Sequence, residues 1–307
     1  MKEKGRSSLS ISISIVTPSF NQGAFIERTI NSVLKQNVPS LEYMVVDGAS
    51  TDGTVEILKR YENHLKWVSE KDKGQTEAVN KGIGLTCGDI IGWLNSDDIY
   101  YPKTLSRVIR FFEEHPDVDV VYGEADHIDE NDQILEPYYT EDWNYERLKN
   151  ICFLCQPAVF FRRDIVKRFG LLDENLKYCM DYEYWLRLGA EIPFARLKRK
   201  LAGSRLYREN KTLGQRAPVH KEINDMLRNR LGNVPDKWIY NYAHALVDRK
   251  ILNRNKPFND LLYVMMLIGV SSIGFFHWRG NLPLHSAKTM GKWAVAAFYN
   301  NMGMGEQ

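Results

Sequence analysis

The 307-residue chain lacks an excess of charge of either sign. Its 41 lysines and arginines nearly balance its 39 aspartates and glutamates, which leaves a formal net charge of +2. Proteins that bind nucleic acid concentrate positive charge against the phosphate backbone. The composition therefore predicts no nucleic-acid partner, and any basic patch must be local.

Cysteine is also scarce, since the chain has only four. Cys152 and Cys155 form one C-x-x-C pair, and there is no second pair to complete the roughly four ligands of a structural zinc site. Cys152 stands among apolar residues. The pattern favours buried thiols over a metal or redox site, and it is typical of a cytoplasmic protein.

A long apolar run is missing as well. The first apolar run, from residue 11, alternates with serine and is too short for the core of a signal peptide. Residues 261–276 carry no charge but fall short of the roughly 20 residues of a comfortable membrane span. Tryptophans and cations flank this stretch, which favours peripheral membrane contact through residues 261–279. A buried or oligomer-forming helix and a true span remain the alternatives.

Apolar periodicity predicts strands and helices that alternate from residue 11 to about residue 122. The predicted strands are 11–16, 43–47, 66–69, 90–94 and 118–122, and the predicted helices are 23–35, 54–61, 76–85 and 105–112. This order indicates an α/β fold with a mainly parallel sheet covered by helices. Residues 181–188 read as another helix, and the chain from 216 onward is helical without a βα repeat. We expect a catalytic domain over residues 1–215 and a helical C-terminal extension over 216–307.

Three polar segments follow predicted strands. They are Thr17 to Asn21 after the first strand, Asp47-Gly48 after the second, and Asn95 to Asp98 after the fourth. Ligands of open α/β sheets bind at the carboxyl ends of the strands. We therefore expect these segments to meet at one edge of the sheet.

The adjacent carboxylates of Asp97 and Asp98 suit a hard divalent cation such as Mg²⁺ or Mn²⁺, which prefers oxygen ligands. A simpler alternative is that one of them caps the helix near Pro102. Asp47 could accept a hydrogen bond from a uracil or thymine ring or merely close a turn. Asp181 opens an amphipathic helix, where it could act as a general base or as a cap.

The ordered motifs resemble the family 2 glycosyltransferases with the GT-A fold. The motifs are TPSFN, VVDGASTDGT, KDKGQTEAVNKGI, GWLNSDD, QPAVFFRRD and MDYEYWLRL, and the resemblance covers roughly residues 11 to 210. The resemblance implies a Rossmann-like mixed sheet flanked by helices. It also implies inverting transfer from a nucleotide-diphospho-sugar without a covalent sugar–enzyme intermediate.

The resemblance also assigns roles to residues. It implies that Asp181 is the catalytic base, with Met180 in place of the family's glutamate, and that Asp98 binds the Mg²⁺ or Mn²⁺ ion. It implies that Gln156 and Pro157 lie on the acceptor side. The implied donor-binding residues are Pro18 and Phe20 flanking the nucleobase, Asp47 bonded to it, Asp97 near the ribose, and Lys73 or Gln75 at the base or phosphates.

The chain departs from the family pattern at one position. Many relatives carry a metal-binding histidine where this sequence has Tyr207. Either the metal has fewer protein ligands, or Arg205, Arg208 or Lys211 neutralises the diphosphate instead.

These observations predict a glycosyltransferase that uses a UDP- or dTDP-sugar. The basic run from Arg196 to Lys200 and the apolar tail favour a glycan or lipid-linked saccharide acceptor at the inner face of the cell membrane, as in cell-surface polysaccharide synthesis. A non-catalytic nucleotide-sugar binding module and a nucleotidyltransferase are the alternatives. A nicotinamide oxidoreductase is disfavoured because no Gly-x-Gly-x-x-Gly turn follows the first strand.

Overall fold

The computed structural model describes residues 11–207, 210, 214–249 and 257–301. The chain divides into two compact units, Met1–Tyr207 and Arg208–Gln307. The first contains a sheet with helices, and the second is helical wherever the structure describes it. Two of the cations considered for the diphosphate, Arg208 and Lys211, lie outside the described residues.

The first unit contains a nine-stranded sheet. Its strands are β1 Ile13–Ser19, β2 Leu41–Asp47, β3 Lys66–Ser69, β4 Ile90–Trp93, β5 Ile99–Tyr100, β6 Val120–Ile128, β7 Ile134–Pro137, β8 Val159–Arg162 and β9 Ala195–Arg205. Its helices are α1 Ile26–Leu34, α2 Thr54–Arg60, α3 Gln75–Gly84, α4 Thr104–Glu114, α5 Tyr145–Asn150, α6 Asp164–Phe169 and α7 Met180–Gly189. All nine predicted elements up to residue 122 are present, with ends shifted by a few residues.

The strand order is β3-β2-β1-β4-β8-β6-β9-β5, with β7 added to β6. Strands β1 to β4 pair in parallel, whereas β8 runs antiparallel to both β4 and β6. The α/β prediction is confirmed, but the sheet is mixed beyond β4 rather than mainly parallel. Parallel pairing brings the carboxyl ends of β1, β2 and β4 to the same edge, as expected for a ligand-binding sheet.

Helices pack tightly on the parallel part of the sheet. Ile13 and Ile15 of β1 are fully buried, and α1 contributes Ile26, Ile30 and Val33 to the same apolar core. On α3, a Cβ atom at Gly82 would stand 2.3 Å from Val16 Cγ1, so only glycine allows this approach of helix to strand. The close packing holds the start of α3 beside the ends of β1 and β4.

The start of α2 is held by Gly53 and Asp52. Gly53, with φ of 93°, is the N-cap residue of the helix. Asp52 accepts hydrogen bonds from Thr54 N at 3.2 Å and Gly23 N at 2.8 Å. Its carboxylate therefore links this helix to the loop after β1 as well as supporting the first turn.

The cysteines are free thiols. Cys155 is buried, Cys152 is partly buried, and Cys87 is exposed. Among residues 11–207, 210, 214–249 and 257–301, no three or more His, Cys, Asp or Glu side chains are grouped as a ready-made metal cluster. Burial raises the pKa of the Cys152 thiol, as does the nearby charge of Asp181, and this favours the neutral thiol.

The second unit contains α8 Arg216–Leu231, α9 Asp236–Val247, α10 Pro257–Arg279 and α11 Leu284–Asn301. The predicted helical C-terminal region is thus confirmed. Its core includes side chains from α9, α10 and α11, namely Ala243, Val247, Tyr263, Val264, Leu267 and Ala297. Within the described residues, Phe258–Arg279 is the one helix long and apolar enough to cross a membrane, and 39% of its most apolar window is buried.

Candidate active site

The carboxyl ends of β1 and β2 form the first part of the candidate site. The backbone N–H of Gly48 donates to Ser19 O at 2.8 Å, which holds the two strand ends together. Phe20, the next residue after Ser19, is 61% exposed. Pro18 is buried within β1. The aromatic face of Phe20 is therefore open to a planar ligand, whereas Pro18 supports the strand from inside.

Asp47 is fully buried at the end of β2. Its Oδ2 accepts hydrogen bonds from Ser50 N at 2.9 Å and from Ser69 Oγ at 2.6 Å, and its Oδ1 accepts one from Ser50 Oγ. Both carboxylate oxygens thus have partners in the protein. This geometry favours the turn-closing role over the predicted contact with a nucleobase.

Asn95 connects α3 to the end of β4. Its Oδ1 accepts hydrogen bonds from Trp93 Nε1 at 2.9 Å and from Gln75 Nε2 at 2.7 Å, and its Nδ2 donates to Asp98 Oδ2 at 3.2 Å. Sequence analysis did not assign a role to Asn95. The sequence signal that could have identified Asn95 is its position two residues before Asp97.

Asp98 lies beneath the surface rather than at it. The residue is only 4% exposed, and its Oδ1 accepts the backbone N–H of Arg205 at 2.8 Å. Burial and the negative charge of Asp97 raise the pKa of Asp98 well above its usual range. Because both oxygens accept protein hydrogen bonds, the geometry does not favour the predicted direct metal contact at Asp98.

Arg205 lies in the wall behind these carboxylates. Its side chain is fully buried, its guanidinium packs 4.9 Å from the centre of the Phe25 ring, and its Nε donates to Asp97 O at 2.6 Å. The same group donates to Asp129 O and to the carboxylate of Asp132. Arg205 is therefore a structural cation, and its burial does not support the alternative that it neutralises a diphosphate.

Replacing Arg205 with methionine should destabilise the first unit by about 1–3 kcal/mol, because it removes the buried donor to the carbonyl oxygens of Asp97 and Asp129. Thermal unfolding followed by circular dichroism measures the effect. The matched control is Arg110→Met, since Arg110 pairs with Glu114 on the exposed surface of α4 and its replacement should change stability far less. Equal melting temperatures for the two variants would contradict the structural role.

Tyr207 stands over Asp97 at the position where a histidine was expected. Its hydroxyl donates to Asp97 Oδ2 at 3.0 Å, accepts from Gln22 Nε2 at 3.3 Å, and its ring packs 5.0 Å from that of Phe25. Burial and the charge of Asp97 raise the pKa of Tyr207, so the phenol stays protonated and donates. Asp97 is partly exposed, unlike Asp98.

Asp181 is the second residue of α7 and is partly exposed. Its Oδ1 accepts the backbone N–H of Tyr182 at 2.8 Å. Burial raises the pKa of the Cys155 thiol, and the charges of Asp98 and Asp181 both add to this shift. The charge of Asp181 therefore acts on the same buried thiol as that of Asp98.

The remaining predicted residues surround this region. Lys73 is exposed, with its backbone N–H donating to Glu77 Oε2 at 2.6 Å. Gln156 and Pro157 are buried, and Gln156 Nε2 donates to Trp93 O at 2.6 Å. The opposite amide oxygen, Gln156 Oε1, is buried without a hydrogen-bond partner in the described part of the chain. Gln156 thus binds to the carboxyl end of β4, where Trp93 is the last residue.

Comparison with known proteins now identifies the family. The model for glycosyl transferase family 2 matches residues 14–170, which is more than half of the chain. The chain belongs to glycosyl transferase family 2. The predicted family and class of enzyme are thereby confirmed, and the matched segment contains the strand-end residues Phe20, Asp47, Asp97 and Asp98.

Curated members of the family share about a third of their residues or fewer with this chain. An uncharacterised glycosyltransferase of Rickettsia typhi is 30% identical over 57% of this chain and 58% of its own length. Chondroitin synthase of Escherichia coli is 29% identical over 72% of this chain and 33% of its own length. The chain thus matches about half or less of these relatives.

Solved structures of two other proteins share the fold. TarS residues 1–349 from S. aureus, in complex with UDP-GlcNAc, has a TM-score of 0.63 at 16% identity, covering 95% of this chain and 92% of that one. The mannosyltransferase PcManGT from Pyrobaculum calidifontis, in complex with GDP-Man and Mn²⁺, has a TM-score of 0.57 at 15% identity, covering 96% and 88%. The predicted GT-A fold with its helical C-terminal region is confirmed.

Proposed function

We propose that this family 2 member transfers a sugar, with inversion, from a UDP- or dTDP-sugar to a hydroxyl of a glycan or lipid-linked saccharide, in the synthesis of a cell-surface polysaccharide. The observation that carries the proposal is the placement of partly exposed Asp97 after β4 and of exposed Phe20 after the neighbouring strand β1, and the charge of Asp181 on α7 acts on the same buried thiol as that of Asp98. Bound sugar nucleotides in TarS and PcManGT support the donor class.

Each residue would have a defined task in this reaction. Asp181 takes the proton from the acceptor hydroxyl while its oxygen attacks the anomeric carbon, and the bond from that carbon to the diphosphate breaks on the opposite face. Phe20 stacks on the nucleobase, and Lys73 and Gln75 lie on the phosphate side. The catalytic work thus falls to residues 1–215, with 216–307 as an extension.

Asp97 fits a divalent metal ion better than Asp98 does. Mg²⁺ is commonly bound through one or two carboxylates together with substrate phosphates and water, so one partly exposed carboxylate is a sufficient protein contribution. Asp97 would hold the ion, which supplies positive charge for the leaving diphosphate. Tyr207 orients this carboxylate through its hydroxyl, in place of the histidine that would have been a ligand.

Thermal shift with nucleoside diphosphates tests the proposed donor. UDP or dTDP should raise the melting temperature in the presence of MnCl₂, because a ligand that binds only the folded state stabilises it. A response to GDP alone would contradict the uridine or thymidine donor. Release of pyrophosphate rather than nucleoside diphosphate during turnover would instead identify a nucleotidyltransferase.

The acceptor side of the proposal includes peripheral membrane contact through residues 261–279. As far as Phe276, the exposed residues of α10 recur every three or four positions and are apolar or glycine, namely Phe258, Leu262, Met265, Gly269, Ile273 and Phe276, and exposed His277 follows them. On α11, Lys288 and Lys292 are exposed. An apolar stripe with cations in the same unit suits a bilayer that carries anionic lipids. The proposed location is therefore the cytoplasm, at the inner face of the cell membrane.

Ile273→Glu should weaken binding to vesicles of phosphatidylcholine and phosphatidylglycerol by roughly 10- to 100-fold, since a buried isoleucine contributes about 1.5–3 kcal/mol. Co-sedimentation of the full chain measures this binding. Asn229→Glu adds the same charge at an exposed site on α8 and should weaken binding far less. Equal losses in both variants would indicate a charge effect without insertion of this face.

A further inference from the structure

The end of β2 holds a carboxylate that does not belong to that strand. Gly48 has no side chain, and a Cβ atom placed there would stand 2.9 Å from Asp72 Oδ2 and 3.2 Å from Asp72 Oδ1. Asp72 lies in the loop between β3 and α3. Its carboxylate therefore occupies the space that a side chain at position 48 would fill.

Asp72 and Asp47 differ in how their oxygens are used. Asp47 is fully buried, and both of its oxygens accept hydrogen bonds from Ser50 or Ser69. Asp72 is partly exposed, and its Oδ1 accepts the backbone N–H of Gly74 at 3.0 Å. No hydrogen-bond donor for Asp72 Oδ2 is present among the residues that the structure describes. Asp72 is thus open to a ligand in a way that fully buried Asp47 is not.

The surroundings of Asp72 favour a ligand that donates a hydrogen bond. Burial raises the pKa of Asp72, and the neighbouring carboxylates of Glu77 and Asp47 add to the shift. A donor N–H from a ligand would stabilise the ionised carboxylate at this position. Such a donor would also supply the partner that Asp72 Oδ2 lacks.

The aromatic residue proposed to stack on the base lies at the same strand ends. Gly48 N donates to Ser19 O, and Phe20 follows Ser19 directly. The exposed ring of Phe20 and the carboxylate of Asp72 thus lie at neighbouring strand ends, which the backbone hydrogen bond between Gly48 and Ser19 holds together. A ring to stack on and an acceptor at its edge are the two features that a uracil or thymine imide requires.

We propose that Asp72, rather than Asp47, accepts the imide N3–H of the uracil or thymine ring and so sets the nucleobase specificity of the donor site. This assignment rests on the proposed transferase function. In this assignment, Asp72 of the β3–α3 loop binds the edge of the nucleobase. Asp47 is a positioning residue that closes the turn beneath it.

The test compares UDP with its N3-methyl analogue by calorimetry in the presence of MnCl₂. The wild-type protein should bind UDP roughly 10- to 100-fold more tightly than N3-methyl-UDP, since a hydrogen bond to a charged group contributes about 1.5–3 kcal/mol. Asp72→Ala should bind the two ligands with nearly equal affinity. Asp117→Ala, at an exposed aspartate distant in sequence, should keep the wild-type ratio.

A second variant separates loss of the contact from loss of structure. Gly48→Asp combined with Asp72→Ala returns a carboxylate to the same space from the neighbouring strand and should restore discrimination against the methylated ligand. Because the readout is a ratio of two affinities, a lower fraction of folded protein does not change it. Failure of the double variant to discriminate, at a wild-type melting temperature, would overturn the assignment.

The outcomes distinguish this inference from the proposed function. Undiminished discrimination in Asp72→Ala overturns the role of Asp72 while leaving the transferase intact. Equal binding of both ligands by the wild-type protein also overturns it, since no imide contact then exists. Absence of any nucleoside diphosphate binding by the wild-type protein would instead reject the donor site itself.

Discussion

Asp181→Asn should lower the rate of sugar transfer by about 10²- to 10⁴-fold, the usual contribution of a positioned general base. Asparagine keeps the size of the side chain, and its Oδ1 can still accept the N–H of Tyr182, so the start of α7 should stay intact. The amide, however, cannot take a proton from the acceptor hydroxyl. Initial rates of nucleoside diphosphate release with acceptor present measure the loss.

Donor binding is the essential companion measurement for Asp181→Asn. The dissociation constant for UDP should remain within a few-fold of the wild-type value, because the base acts on the acceptor and not on the nucleotide. Asp164→Asn, at an exposed position at the start of α6, is a control with the same chemical change and should retain full activity. A wild-type transfer rate in Asp181→Asn would show that another group removes the proton.

The parallel half of the fold was predictable because its signals are local. Alternating and helical apolar patterns located β1 to β4 and α1 to α4; strands β1, β2 and β3 pair in sequence order, and β4 pairs with β1. The antiparallel strand β8 and the long strand β9 were not predicted. The middle of β9 is exposed. The pairing of β9 with β6 depends on residues distant in sequence rather than on the apolar pattern of β9 itself.

The candidate site was predictable in its location but not in its details. Sequence placed the polar segments at one edge of the sheet, yet it did not show which of two adjacent aspartates faces outward. In the structure Asp98 points into a hydrogen-bonded network while Asp97 is partly exposed. Arg205 illustrates the same limit, because a cation in a polar segment suggests a surface residue until its partners are known.

The same reasoning explains why Asp72 received no assignment from sequence. In the motif KDKGQ it reads as one charge in a solvated loop, flanked by two lysines. Its significance depends on the missing side chain of Gly48, which is more than 20 residues earlier in the chain. The Asp72 carboxylate occupies the space of an absent side chain at position 48, and this is visible only in the folded structure.

Asp97→Ala should abolish the manganese-dependent part of UDP binding and lower transfer by roughly 10²-fold or more, since a bound metal contributes several kcal/mol to charge stabilisation in the transition state. Calorimetry with and without MnCl₂ gives the binding difference, and the melting temperature should change little because Asp97 is partly exposed. Tyr207 would lose its acceptor but keep its contact with the Phe25 ring.

Asp98→Asn should be compared with Asp97→Ala, because the two aspartates are adjacent in sequence but differ in burial and hydrogen bonding. The amide would place an N–H group opposite Asn95 Nδ2 or Arg205 N, so one buried hydrogen bond is replaced by two facing donors. We expect a loss of about 1–3 kcal/mol in stability, with manganese-dependent UDP binding retained by the folded fraction. The reverse pattern, in which Asp98→Asn loses the manganese effect at normal stability while Asp97→Ala keeps it, would assign the metal to Asp98. The distinction is physical: the carboxylate of Asp98 is buried and holds the backbone N–H of Arg205, whereas that of Asp97 is partly exposed and is oriented by the hydroxyl of Tyr207.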